Sequence, residues 1–118
     1  MHEFTLVNQN RGSTLAKRVR LAGTSRERRR GLLSVCTLDD DSGLWIDPCE
    51  AIHTFGMKMP IDSVFVDKYF RVRKLRANLS PGRIAFCTMA QSVIELPAGT
   101  IRRSRTGIGD QLSFSRNA

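Results

Sequence analysis

IHTFGMKMPIDSVFVD, residues 52–67, decides the fold. Its first half mixes the turn formers Gly56 and Pro60 with the polar groups His53, Thr54 and Lys58, a composition that bends a chain at the surface. Its second half, residues 61–66, is apolar on both faces apart from Asp62 and Ser63. A strand needs only one apolar face when the other meets water, so apolar residues on both predict a strand covered on both sides. The passage therefore reads as a kinked surface connection entering a buried strand, with His53, Lys58 and Asp62 at its mouth.

Outward from there the signals are mostly those of short strands. Residues 3–8 alternate, and so do residues 15–21, where Leu15, Val19 and Leu21 share a face with Lys17. The turn NQNRGS, residues 8–13, joins them as an antiparallel hairpin, and Lys17 on the apolar side suggests a sheet edge. Thr24 and Glu27 have capping-box spacing, which starts a helix over residues 25–34 that Gly31 weakens and shortens. Leu32 and Leu33 are expected to dock it on the sheet while Arg26, Arg28, Arg29 and Arg30 face solvent. GLWI at 43–46 is a short strand ended by Pro48. Residues 70–73 alternate and Leu75 falls out of phase, which predicts a bulge. Residues 78–83 form a Pro-Gly loop, 84–87 and 91–96 are strands, 98–103 make a helical turn, and 111–115 are a last strand. The sum is an α+β, mainly β protein: a compact, mostly antiparallel curled sheet or partly open barrel with one or two short helices.

The chain has 118 residues, which suits a single domain over 1–118. It contains no apolar run of membrane-spanning length, and its N-terminus lacks the basic start and apolar stretch of a signal peptide, so a cytoplasmic location is expected. The three cysteines, Cys36, Cys49 and Cys87, have no CxxC spacing and read as reduced thiols. Net charge is +8, carried by arginine far more than lysine. Such a surface suits nucleic acid or another anionic partner, although the phenylalanines fall mostly at inward positions and leave few rings for base stacking.

Several segments, taken in order, resemble the bacterial and archaeal family known as domain of unknown function 192. They are ERRRGLL at 27–33, GLWI at 43–46, FGMK at 55–58 with Pro60, Ile61 and Asp62 and the strand to Asp67, ELPAG at 95–99, and Gly109 with Asp110. The likeness covers roughly residues 4–115. Many members carry Trp where Gly56 stands, followed by a longer approach to the proline, and many are exported. The resemblance implies a compact β-rich fold with a small helix, and it implies no activity.

The chemistry-bearing groups leave several readings. Asp62 and Glu95 interrupt apolar strands, where a carboxylate is costly unless paired. Ion pairing to arginine is one account. The other is a polar pocket of His53, Lys58, Asp62 and Glu95 at the sheet's end, taking a small polar ligand or a protein partner. Cys49 and His53, four apart, have zinc-ligand chemistry, but Pro48 and the turn beyond them argue against the helix that would align them. The same pair with Asp62 or Glu95 has the makings of a thiol triad, without a glycine-framed nucleophile turn. The acidic run at 39–41 lacks the alternation of a calcium loop. The expectation is a non-catalytic accessory or binding module that needs no metal and no cofactor. Arginine-driven nucleic-acid binding and a small Cys/His enzyme or metal protein are the alternatives.

Overall fold

The computed structural model describes residues 2–33 and 38–118. Among the described residues nine strands and two short helices follow one another: β1 Glu3–Asn8, β2 Ser13–Ala22, α1 Ser25–Arg30, β3 Ser42–Ile46, β4 Ala51–His53, β5 Ile61–Val66, β6 Val72–Leu79, β7 Ile84–Phe86, β8 Ser92–Pro97, α2 Thr100–Ser104 and β9 Leu112–Arg116. Seven strands form one sheet in the order β6-β5-β8-β3-β2-β1-β9, and β4 pairs with β7 as a separate ribbon. The large sheet curls until its two edge strands meet at their beginnings. Arg71 bridges Gln111, Val72 N–H donates to Asp110 O at 2.9 Å, and Leu112 N–H donates to Phe70 O at 2.9 Å. This is the partly open barrel that the strand pattern predicts.

Pleating divides the packing into two cores, because successive side chains leave a strand on opposite faces. Leu6, Leu15, Val19, Val64, Val66, Ile94, Leu96 and Leu112 fill the inside of the curl. At one end of that core Phe4, Trp45, Phe70 and Phe114 pack together, with the Trp45 and Phe114 rings stacked at 4.1 Å. α2 lies against β2 and β6 and adds Ile101 to the same core. The second core is on the outer face, where Leu32, Leu44, Ile46, Ile52, Met57, Ile61, Phe65 and Val93 cluster. Buried on both sides, β5 is solvent-free along its whole length, as its sequence predicts.

The local details follow from the residues. Thr24 Oγ1 accepts from Glu27 N–H at 3.1 Å and Glu27 Oε1 accepts from Thr24 N–H at 3.0 Å, so the capping box forms. That pairing holds the Glu27 carboxyl below its usual range. The helix stops at Gly31, whose φ of 48° suits a residue without Cβ; Ser34, its expected end, lies outside the described residues. The out-of-phase Leu75 is explained by a register shift, since Phe65 pairs with Lys74 while Val66 pairs with Val72. β6 runs on to Leu79 through the left-handed Asn78 (φ 51°), past the loop start that the sequence suggests.

Two expectations need correction. β2 is not at a sheet edge; it lies between β1 and β3. A β-bulge in its pairing with β1 places Leu15 and Ala16 both inward and turns Lys17 to solvent. The β2–β3 pair is parallel, in a sheet otherwise paired antiparallel among the described strands. Residues 51–53, read as part of the connection, form β4.

Candidate functional site

The sheet's outer face, α1 with the residues just after it, and β4 line a half-open cavity of about 660 Å³. Arg28, Arg29, Arg30 and Gly31 come from the helix side, Leu32, Leu33, Ile46 and Met57 form apolar walls, and Pro48, Cys49, Ala51, Ile52 and His53 come from the ribbon side. Glu95 of β8 lies among the lining residues although it is only 3% exposed. A Cβ added at Gly31 would stand 3.7 Å from Glu95 Oε1, so the helix terminus sits directly over the carboxyl.

Glu95 has an unusual environment. Its Oε1 is buried without a hydrogen-bond partner among the described residues. Burial with nothing to offset it lifts the carboxyl to about 7, since an apolar surrounding disfavours the charged form. Ser63 is its register partner across β5 and β8, and Ser63 Oγ is likewise buried and unpartnered. Directly opposed residues on an antiparallel pair have Cβ atoms about 5 Å apart on the same face. The two orphan groups are therefore neighbours in an otherwise apolar surface.

Cys49 and His53 share the cavity with Glu95, but not as a triad. The Cys49 thiol donates to Ala51 O at 3.0 Å. Burial raises its pKa, the Glu95 charge raises it further, and the Ala51 contact and Arg28 work against that rise. This is the opposite of what activates a thiolate. His53 lies beside Phe55 with ring centroids 5.6 Å apart. Among the described residues no three His, Cys, Asp or Glu side chains gather as a metal site; Cys36 lies outside those residues.

Asp62 and Lys58 are placed elsewhere. Asp62 is fully buried, and its two oxygens accept from Asn78 N–H and Ile101 N–H, each at 2.8 Å. It pairs in register with Leu96, while Ser63 pairs with Glu95, so the pleat sends Asp62 into the curl and Glu95 to the outer face. The partners of Asp62 are backbone amides instead of arginine. Lys58 is exposed and does not line the cavity. Sequence reading set the α1 arginines on solvated helix faces, as part of a basic surface for anionic partners, and not beside Glu95. The capping box marks where α1 begins but not what it faces. Phe55 and Phe86 are half exposed or more, at 51% and 59%, contrary to the inward positions expected for them.

The family DUF192, described as an uncharacterized ACR, matches residues 6–114. A UPF0127 protein of Thermococcus kodakarensis is 29% identical over 115 residues, spanning 93% of this chain and 73% of that protein. The crystal structure of a proposed transcription regulator from Sinorhizobium meliloti 1021 is similar with a TM-score of 0.84 and 25% identity, over 96% of this chain and 92% of that one. A protein of unknown function from Novosphingobium aromaticivorans DSM 12444 shares the fold with a TM-score of 0.81 and 24% identity, over 94% and 83% of the two chains.

Proposed function

We propose, for a chain that belongs to the uncharacterised family DUF192, a non-catalytic binding module whose ligand site is the cavity over Glu95. One observation carries the reading: a carboxyl 3% exposed, its Oε1 without a partner among the described residues, lines a cavity of about 660 Å³. Buried polar atoms in folded proteins almost always have partners, and ligand sites are mostly apolar hollows of about this size with a few aimed polar groups. A molecule seated there supplies the hydrogen bond that the fold withholds. The module acts as one domain, and the thiols of Cys49 and Cys87, which are not joined in a disulfide, support a reducing, cytoplasmic setting. No helix among the described residues is long and apolar enough to cross a membrane.

The test is a fragment screen by methyl NMR. Bound fragments should shift Leu32, Ile46, Ile52 and Met57 together. A screen whose hits never move those four methyl groups would end the reading.

A second reading, nucleic-acid binding, rests on the net charge of +8 and on exposed rings beside cations. Lys74 Nζ lies 5.1 Å from the Phe86 ring centroid, and Lys68 Nζ lies 5.2 Å from that of Tyr69; rings of this kind can stack bases. The Sinorhizobium relative's description as a transcription regulator is in keeping with it. Fluorescence anisotropy with single- and double-stranded DNA over a salt series decides it, because phosphate contacts make affinity fall steeply with salt.

A further inference from the structure

We infer that the cavity takes a small amphoteric molecule, with a protonated amine on Glu95, an apolar body between Leu32, Ile46, Ile52 and Met57, and an anionic group at the α1 arginines. The inference rests on reading the cavity as a binding site, and it names the ligand class.

The argument is by elimination over the groups that line the hollow. A bare anion would be drawn to Arg28 and Arg29 but would meet the Glu95 carboxyl beneath them, a like charge in a poorly solvated place. A bare cation suits Glu95 but must pass an arginine rim on a chain of net charge +8. A purely apolar molecule would fill the walls and leave Glu95 Oε1 without a partner among the described residues. A molecule with both charges satisfies floor and rim together. A protonated amine also presents three donors, enough to satisfy the Glu95 carboxyl.

The spacing of the two ends is compatible with one small molecule. A Cβ placed at Gly31 would stand 3.7 Å from Glu95 Oε1 and 3.9 Å from Arg28 O, and both residues line the hollow, so acid floor and basic helix end lie around the same short stretch of wall. Arg28 is anchored by donation from Nη1 to Gly23 O at 2.7 Å and from Nη2 to Ser25 Oγ at 3.3 Å. Its guanidinium is thus held in position at the cavity's edge instead of swinging into it. No described ion pair involves Glu95.

A free amino acid and a short peptide both present these ends, and calorimetry separates them. The full chain is titrated with L-leucine, leucyl-leucine, 4-methylpentanoic acid (the amine removed) and isoamylamine (the carboxylate removed). Leucine or leucyl-leucine should bind at least about tenfold more tightly than either truncated probe, and the tighter of the two identifies the source. Glu95→Gln should abolish the advantage over the acid, and Arg28→Gln with Arg29→Gln the advantage over the amine. Should Glu95→Gln not fold, Glu95→Asp, with its carboxylate one methylene short, serves instead and should reduce the same advantage. Equal binding of a truncated probe, or an advantage that survives the Glu95 variants, overturns the inference. Binding by none of the four probes overturns it as well. In each of these cases NMR fragment hits on the cavity methyl groups would leave the site itself standing, whereas their absence removes both readings.

Discussion

Ser63 and Glu95 face each other across β5 and β8, and neither Ser63 Oγ nor Glu95 Oε1 has a hydrogen-bond partner among the described residues. Thr54, equally buried, is the contrast: its hydroxyl donates to Ser80 O at 2.7 Å and accepts from Arg83 N–H at 2.8 Å. A hydroxyl already without partners loses nothing when removed, while a bonded one strands its neighbours. Ser63→Ala should therefore leave stability unchanged or raise it by up to about 1 kcal/mol, and Thr54→Ala should lower it by about 1–3 kcal/mol. Urea unfolding measures both. A loss with Ser63→Ala as large as that with Thr54→Ala would mean that Ser63 is satisfied after all.

Glu95 ties stability to pH. Its folded-state value of about 7 lies above the ordinary value of 4.5. Below pH 4.5 both states hold the proton. Between 4.5 and 7 the unfolded chain releases it and the folded chain keeps it, so stability falls as pH rises. Above 7 the cost is constant, on the order of 3 kcal/mol at most. Glu95→Gln removes this slope. The variant should match the parent at pH 4.5 and exceed it at pH 8.5 in denaturant midpoint. Parallel pH profiles for parent and variant would show that Glu95 ionises freely in the fold.

The same charge reaches Cys49. Burial first, and then Glu95, push the thiol upwards, so it should react with a disulfide reagent more slowly at pH 8 than a small-molecule thiol does. In a background with Cys36→Ser and Cys87→Ser, the midpoint of its pH–rate curve should lie above the ordinary thiol range of about 8.5. Glu95→Gln should lower that midpoint, because a like charge has gone. A midpoint near 7 would instead reveal an activated nucleophile and reopen an enzymatic reading.

Periodicity made the strands legible. Residues 61–66 announce a doubly covered strand, and β5 has those bounds. The capping box, the bulge near Leu75 and the Pro-Gly turn were likewise local patterns with local causes. What sequence could not supply was facing. The β4–β7 ribbon rests on a pairing of two three-residue strands more than 30 positions apart, too short for any alternation to show. Parallel pairing of β2 with β3 is a long-range choice that the alternation within either strand does not encode. Asp62 and Glu95 look alike in sequence, each a carboxylate inside an apolar run. Only the register of β5 on β8 sends one into the curl and the other to the cavity.

That division gives Asp62 a structural task that substitution can isolate. Its oxygens hold Asn78 N–H, in the left-handed residue near the end of β6, and Ile101 N–H, in the first turn of α2. One carboxylate thereby joins two separate segments at the end of the inner core. Asp62→Ala leaves both amides without this acceptor inside the fold and should cost about 2–4 kcal/mol. Asp62→Asn keeps one carbonyl oxygen but turns an amide N–H₂ towards an N–H donor, so it should recover only part of that loss. Hydrogen exchange should quicken most at Asn78 and Ile101, while ligand shifts at Ile46 and Ile52 stay as in the parent, since those residues line the other face of the sheet. Loss of ligand binding in a folded Asp62→Asn protein would place Asp62 in the site and contradict the facing argued from the register.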